Sequence, residues 1–270
     1  NMRTTPKLGL NYSTEKFNIN FGAGYVFRTL ENTDNLRPEL NVKENFEALE
    51  LDSYINYRFS PKASLYASVS KSNSPPDVQQ LNPFVDVSDP LNITVGNPDL
   101  SPSNVYNFYG GFNNFDFQKG GGWYLNGNGS VTNDAVVNKT TIDENLVRTT
   151  TYENVDGNYN VGAGGGYNKT LKIDSLRTIK YGGGIYGNFG RNVNFNNDVK
   201  YASKTRSLTP RVNVTFTWKD LFEVRPSYNI SFSKTEFGLD AFDDQEFVSH
   251  TVRLSTALFV PKNWEWRSRR

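Results

Sequence analysis

The sequence predicts an all-β protein, an antiparallel up-and-down transmembrane β-barrel wall with about 11 to 12 strands present. Three observations predict it. Apolar and polar residues alternate with a period of two along most of the chain, the mark of strands with one apolar face. Connections between these runs are mostly short and long by turns, so every second connection lies at the same end of the sheet. All four tryptophans, Trp123, Trp218, Trp264 and Trp266, stand beside short connections, which reads as an aromatic girdle at one membrane interface.

In order along the chain, Leu8, Leu10 and Tyr12 form the first run. Thr14-Glu15-Lys16 turns it into Phe17, Ile19, Phe21, Ala23, Tyr25 and Phe27. A polar segment, about 29–46, leads to Leu49, Leu51, Ile55, Tyr57 and Phe59. The break Ser60-Pro61-Lys62 leads to Ala63, Leu65, Ala67 and Val69, and a second long segment covers 73–104. Tyr106, Phe108, Gly110 and Phe112 precede the turn QKGGG at 118–122, and Trp123, Leu125, Gly127, Gly129 and Val131 follow it. A third excursion, about 133–156, ends at Tyr159, Val161, Ala163, Gly165 and Tyr167.

A polar connection near 168–177, the least short of its set, joins this run to Ile179, Tyr181, Gly183, Ile185, Gly187 and Phe189. A fourth excursion is expected at about 191–206. Leu208, Val212, Val214, Phe216 and Trp218 then reach the turn Lys219-Asp220, and Phe222, Val224, Tyr228, Ile230 and Phe232 leave it. A fifth loop, 238–246, precedes Val248, Val252, Leu254 and Leu258. Pro261-Lys262-Asn263 turns the chain into Trp264 and Trp266, the start of a twelfth strand.

Composition agrees and excludes alternatives. Aromatics supply 14% of the 270 residues while mean hydropathy is only −0.60, a balance that suits pleated surfaces with one wet face. No amphipathic helix longer than two turns and no apolar run near the roughly 20 residues of a spanning helix is present. The absence of cysteine excludes a disulfide-stapled domain and Cys-ligated metal centres. A net charge of +1 gives no basic patch for nucleic acid.

Two features favour lipid outside and water inside. The runs extend over about 11 to 16 residues, whereas a spanning strand needs about 9–11 and an average globular strand has about 5–6. The opposite parity is polar or glycyl, as in Asn18, Asn20, Gly22 and Gly24, Asn126, Asn128 and Ser130, or Asn213, Thr215 and Thr217. A hydrated lumen requires such an inner face. Tyr57, Phe59, Leu65 and Val69 are therefore expected to meet acyl chains, and Arg58 and Ser68 to meet water.

The segments ASLYASVSKSNSPPDVQQLNPF and ITVGNPDLSPSNVYNFYGGF resemble the barrel of TonB-dependent outer-membrane receptors and the receptor-like outer-membrane β-barrels related to them. The resemblance rests on a strand of the type l-y-a-S-v-S followed by Gly96, Asn97, Pro98, Asp99, Leu100 and Pro102. Pro98 and Pro102 stiffen the chain before the next strand. It implies a roughly 22-stranded barrel around a plug, in the bacterial outer membrane, with long loops outside the cell and short turns in the periplasm. It also implies uptake of a scarce solute, with outer-membrane lipid, the plug and a TonB-type energy-coupling protein as partners.

The chain departs from that pattern. Residues 1–270 hold half the strands, no plug, no TonB box and no signal peptide, and they end in RSRR rather than a terminal aromatic. An internal piece of a longer barrel is expected, a self-contained 12-stranded barrel being the lesser option. The alternative function is a non-transporting scaffold or subunit of a larger surface complex, partnered by a surface lipoprotein or other subunits.

Candidate chemistry is sparse. GGGIYG at 182–187 fits a nucleotide-binding spacing but lies mid-strand with no helix after it. Asp240, Asp243, Asp244 and Glu246 lack the spacing of a calcium loop. His250, the single histidine, invites comparison with a 12-stranded outer-membrane phospholipase, but His250-Thr251-Val252 lacks the serine which that chemistry uses. No enzyme, cofactor or metal is expected. Arg28, Arg58, Arg211, Arg225 and Arg253 share the polar parity and are the lumen candidates for a substrate. Asn82, Phe84, Asn97 and Asp99 are the candidates on the long loop 73–104, because binding groups concentrate on loops carried by a rigid scaffold.

Overall fold

The computed structural model describes the backbone of residues 1–260 and 264–269, and side chains for residues 1–38, 40–85 and 87–259. The predicted turn Pro261-Lys262-Asn263 lies outside the described residues. The strands are β1 (Met2–Thr4), β2 (Lys7–Ser13), β3 (Phe17–Asn32), β4 (Val42–Ser60), β5 (Ala63–Ser74), β6 (Val85–Asp86), β7 (Asn92–Val95), β8 (Ser103–Asp116) and β9 (Gly121–Asn133). They continue as β10 (Ala135–Ile142), β11 (Arg148–Val155), β12 (Asn158–Lys172), β13 (Arg177–Asn196), β14 (Val199–Trp218), β15 (Phe222–Phe237), β16 (Gln245–Val260) and β17 (Trp264–Arg269). A short α-helix, α1, covers Val78–Leu81, and a 3-10 helix covers Pro38–Leu40.

The wall is a single antiparallel sheet in the order β1-β3-β4-β5-β8-β9-β12-β13-β14-β15-β16-β17, with β2 also on β3. Because β1 and β2 share one edge of β3, separated by Thr5-Pro6, they form one interrupted strand. Pro6 has no N–H for the ladder, yet its carbonyl still accepts the Tyr25 N–H at 3.1 Å. The twelve positions predicted from parity are thus present. Among the described residues β1 and β2 at one end and β17 at the other do not pair, so the sheet has two open edges.

The short turns are closed by local chemistry. Thr14 donates its N–H to the Phe17 carbonyl at 2.7 Å, and its hydroxyl accepts the Phe17 N–H at 3.0 Å. The connection expected near 168–177 shrinks to 173–176, because the carboxylate of Asp174 accepts the N–H groups of Leu176 and Arg177 at 2.8 and 2.7 Å. The Arg177 guanidinium, 2.6 Å away, and these two N–H groups hold the Asp174 carboxyl below the usual carboxylate range.

At the other end two expected loops are largely strand. The segment 29–46 pairs up to Asn32 with Val42. The excursion 191–206 does not exist: β13 and β14 zip to Asn196 with Val199. Asn197 and Asp198 close them in left-handed conformations, φ 47 and 69, as a two-residue hairpin of the primed type demands. Their apolar residues are few and stand among polar neighbours: Leu30, Val42 and Phe46 sit on the parity opposite to the apolar side of the wall, and Val193, Phe195 and Ala202 are isolated among Asn, Arg and Lys.

The two longest excursions fold against each other. β10 and β11 prolong the β9–β12 hairpin beyond Asp134 (φ 54) and Gly157 (φ 91). β7, from 73–104, pairs in parallel with β11, giving a second sheet in the order β10-β11-β7-β6. This cap holds the buried apolar core. Leu30, Val42, Leu81 and Leu100 pack with Phe46, Val78, Val136 and Tyr152. Ala135, Val155 and Val193 pack with Val137, Phe195 and Ala202. Leu30, Val42 and Phe46 belong to the polar parity of β3 and β4, so the first cluster lies on the inner face of the wall, whereas Val193, Phe195 and Ala202 continue the apolar parity of β13 and β14 and carry the second cluster on the other face.

The wall itself keeps its apolar side bare. Leu8, Val69, Leu125 and Val212 are 80%, 57%, 55% and 56% exposed, while Ser68 and Asn126 on the other parity are half-buried. A curved sheet spreads side chains on its convex face and crowds them on its concave face. The apolar face is therefore the convex one.

The motif around Gly96 gains a physical reason. Gly96 is buried, and a Cβ there would lie 2.7 Å from the carbonyl carbon and 2.9 Å from the nitrogen of Asn82. Backbone meets backbone where β7 passes the end of α1, and Leu100 four residues on is a core residue, 3% exposed. Gly96→Ala is expected to destabilise the cap by about 1–3 kcal/mol. Hydrogen exchange would read this as faster exchange across 78–100 with the wall strands unchanged; unaltered protection of 78–100 would refute it.

Candidate functional site

The concave face is organised by tyrosines lying over glycines. β9, β12, β13 and β14 align Tyr124, Gly166, Gly184 and Arg211 in one cross-strand row. Neither glycine has a side chain to obstruct the span, and the Arg211 guanidinium donates to the Tyr124 hydroxyl at 2.5 Å. A Cβ on Gly166 would lie 2.7 Å from that hydroxyl. Tyr186 crosses over Gly162 in the same manner and donates to Asn128 Oδ1 at 2.8 Å. Tyr66 covers Gly111, and its hydroxyl lies 3.2 Å from that of Tyr109, with ring centroids 5.3 Å apart.

Arg211, Arg225 and Arg253 gather on this face. Arg211 pairs in register with Asn229, Arg253 with Ser227 and Arg225 with Ser255, so the three lie within a few residues of one another across β14, β15 and β16. All three are exposed. Arg225 forms an ion pair with Glu223. Arg28 and Arg58 lie apart from them. Arg28 is half-buried beside Pro75, Pro76 and Val78 under the cap, and Arg58 is exposed near the short turn at the other end of β4. This arrangement can hold an anionic or hydroxyl-rich solute by guanidinium and phenol hydrogen bonds. The tyrosines were not found by sequence reasoning, although they were visible as aromatics on the polar parity opposite glycines.

The loop candidates divide. The Asn82 side chain accepts the Phe84 N–H at 3.1 Å and donates to the Leu40 carbonyl at 3.4 Å. Asn97 accepts the Asp99 N–H at 3.0 Å and donates to the Tyr152 carbonyl at 2.9 Å. Both amides are engaged within the cap. Phe84 and Asp99 are exposed, and the Arg37 guanidinium lies 5.6 Å from the Phe84 ring centre.

The cap is tied to the β13–β14 hairpin electrostatically. Lys139 reaches Asp198 at 3.1 Å and Glu153 at 3.2 Å, and these two carboxylates, Asp198 first, raise the Lys139 ammonium above its ordinary pKa. On the convex face His250 Nδ1 lies 2.7 Å from the Tyr228 hydroxyl. In the loop of residues 238–244, Asp244 accepts the Phe237 N–H at 3.2 Å, while Glu246 at the start of β16 binds Lys234 at 2.9 Å. Among the described residues no group of three His, Cys, Asp or Glu converges on one point. The GGGIYG stretch lies mid-strand in β13.

A meander of long strands with a bare apolar convex face, a polar concave face and one elaborated end defines an outer-membrane β-barrel protein. Residues 8–255 match the outer membrane protein beta-barrel family, and the chain belongs to it. No curated protein matches the sequence. The fold is similar to that of the ferric-catecholate import receptor Fiu from E. coli K12 in its open form, with a TM-score of 0.55 at 10% identity. That likeness covers 97% of this chain and 51% of the receptor, so the chain spans about half the receptor's length. The apolar convex face is accordingly the membrane-facing face of a bacterial outer-membrane protein.

Proposed function

We propose that this wall is part of a receptor barrel of roughly 22 strands that takes up a scarce solute across the outer membrane, with the capped end outside the cell. The observation that carries this reading is the concave face, where Arg211, Arg225 and Arg253 adjoin the Tyr124 and Tyr186 networks. Hydrated basic and phenolic groups on a lumen wall select and pass a solute, whereas a barrel used only as an anchor has no need of them. The two open edges ask for further strands, because lipid leaves unpaired backbone groups unsatisfied. Energy would come from a TonB-type partner acting on a plug. A ferric catecholate, the cargo named for Fiu, is the first solute to test.

A second reading, a surface scaffold without transport, is favoured by apolar side chains at the capped end. Leu36, Leu91 and Leu146 are 92%, 59% and 77% exposed. Determination of the structure of the full-length parent protein in detergent separates the two. About 22 closed strands around a plug support the receptor; closure at twelve strands, or a lumen without a plug, overturns it.

A further inference from the structure

On the membrane-facing parity of β13 to β16 the chemistry changes over a single step between adjacent rows. One cross-strand row reads Gly187, Leu208, Phe232 and Val248; the next toward the capped end reads Phe189, Arg206, Lys234 and Glu246; the one after reads Arg191, Lys204 and Glu236. Two pairs of like charge therefore stand directly opposite one another, Arg206 with Lys234 and Arg191 with Lys204. Opposed like charges weaken a sheet unless an anion lies between them.

The protein supplies only part of that anion. Glu236 binds Arg206 at 2.9 Å and Glu246 binds Lys234 at 2.9 Å, with Glu236 and Asp244 at 3.8 and 4.0 Å from Lys234. Arg191 gives one N–H to the Gly157 carbonyl at 2.7 Å. Neither Arg191 nor Lys204 has a carboxylate within ion-pair distance among the described residues. A hollow of about 360 Å³ lies at the step, lined by Leu208, Phe232 and Val248 with Arg206, Lys234 and Glu246. A second, of about 670 Å³, is lined by Arg191, Lys200 and Lys204, three cations against the carboxylates of Asp156 and Glu236. The opposite part of the wall differs: Lys43 is bound to Glu31 at 3.3 Å and Tyr25 donates to Glu47 at 2.9 Å, leaving that level slightly acidic.

We infer that this patch seats a phosphorylated lipid of the outer leaflet, with acyl chains along Leu208, Phe232 and Val248 and phosphate between Arg191, Lys204, Arg206 and Lys234. Lysine and arginine at the edge of an apolar belt extend their charge toward the headgroup level, and guanidinium and ammonium groups hold phosphate by charge-assisted hydrogen bonds. The site rests on the proposed orientation, capped end outward.

The test is native mass spectrometry of the full-length protein with bisphosphorylated lipid A and with the same lipid dephosphorylated. The wild type retains the phosphorylated form preferentially, and Arg191→Gln/Lys204→Gln weakens its binding by at least about tenfold, whereas Lys43→Gln does not. Equal retention of the two lipids by the wild type, or equal binding by the double variant, overturns the site. Thr33→Cys at the capped end, read against the unsubstituted protein, reports orientation through an impermeant maleimide on intact cells. Labelling without phosphate preference refutes the lipid site alone; no labelling refutes the orientation and the site with it.

Discussion

Val69→Lys lowers the unfolding free energy in phospholipid vesicles by about 2–4 kcal/mol, while Ser68→Lys, one residue away, changes it by less than about 1 kcal/mol. The two positions share a strand, a depth and a substitution, and they differ in the face on which the new charge emerges. Val69 stands on the convex face, 57% exposed and opposite Ser53 and Phe108. Ser68 is on the concave face opposite Tyr54 and Tyr109. In β5, seven residues from the short turn, a lysine at 69 enters hydrocarbon at a depth from which its ammonium cannot easily reach water. A lysine at 68 enters a hydrated lumen. Denaturant titration of both variants decides the matter, and equal destabilisation would mean that the apolar face does not meet lipid.

Leu81→Ala destabilises the cap by about 2–5 kcal/mol and leaves the wall intact. Leu81 is 1% exposed at the end of α1 and contacts the cluster that joins the cap to β3 and β4 through Leu30 and Val42. Removing its side chain leaves a void between two elements held by a small core, so the cost approaches the upper part of that range if α1 cannot collapse inward. The expected readout is loss of amide protection in β7, β10 and β11, with β13–β16 unaffected. Loss of protection throughout the wall would show that cap and wall unfold together, and no change would show that the cap is held by its hydrogen bonds alone.

The wall was readable from the chain because strand alternation is a local property. Leu65, Ala67 and Val69 declare their face whatever lies beside them, and turns such as Thr14-Glu15-Lys16 or Lys219-Asp220 are closed by residues within reach of each other. The cap was not readable in the same way. β7 and β11 pair in parallel across 56 residues of sequence, Arg148 against Asn92 and Thr150 against Thr94; β7 is only four residues long and β11 does not alternate cleanly. The β13–β14 extension was hidden for a related reason: Asn192, Asn194 and Asn196 on one face and Arg191, Lys200 and Lys204 on the other outnumber Val193, Phe195 and Ala202, so the segment read as loop. Its turn residues, Asn197 and Asp198, were the available signal.

For the candidate site, parity placed the five arginines on one face, and only the register showed that Arg211, Arg225 and Arg253 are neighbours while Arg28 and Arg58 are not. Asn82 and Asn97 illustrate the converse, since their amides are consumed by backbone groups that the sequence does not bring near them. The sequence by itself determined the wall strands and their faces, because the two-residue period of a pleated strand is set by its own backbone. Tertiary structure decided the cap, the tyrosine spans over glycine and the clustering of charge. Each of these depends on which distant residues the hydrogen-bond register sets side by side.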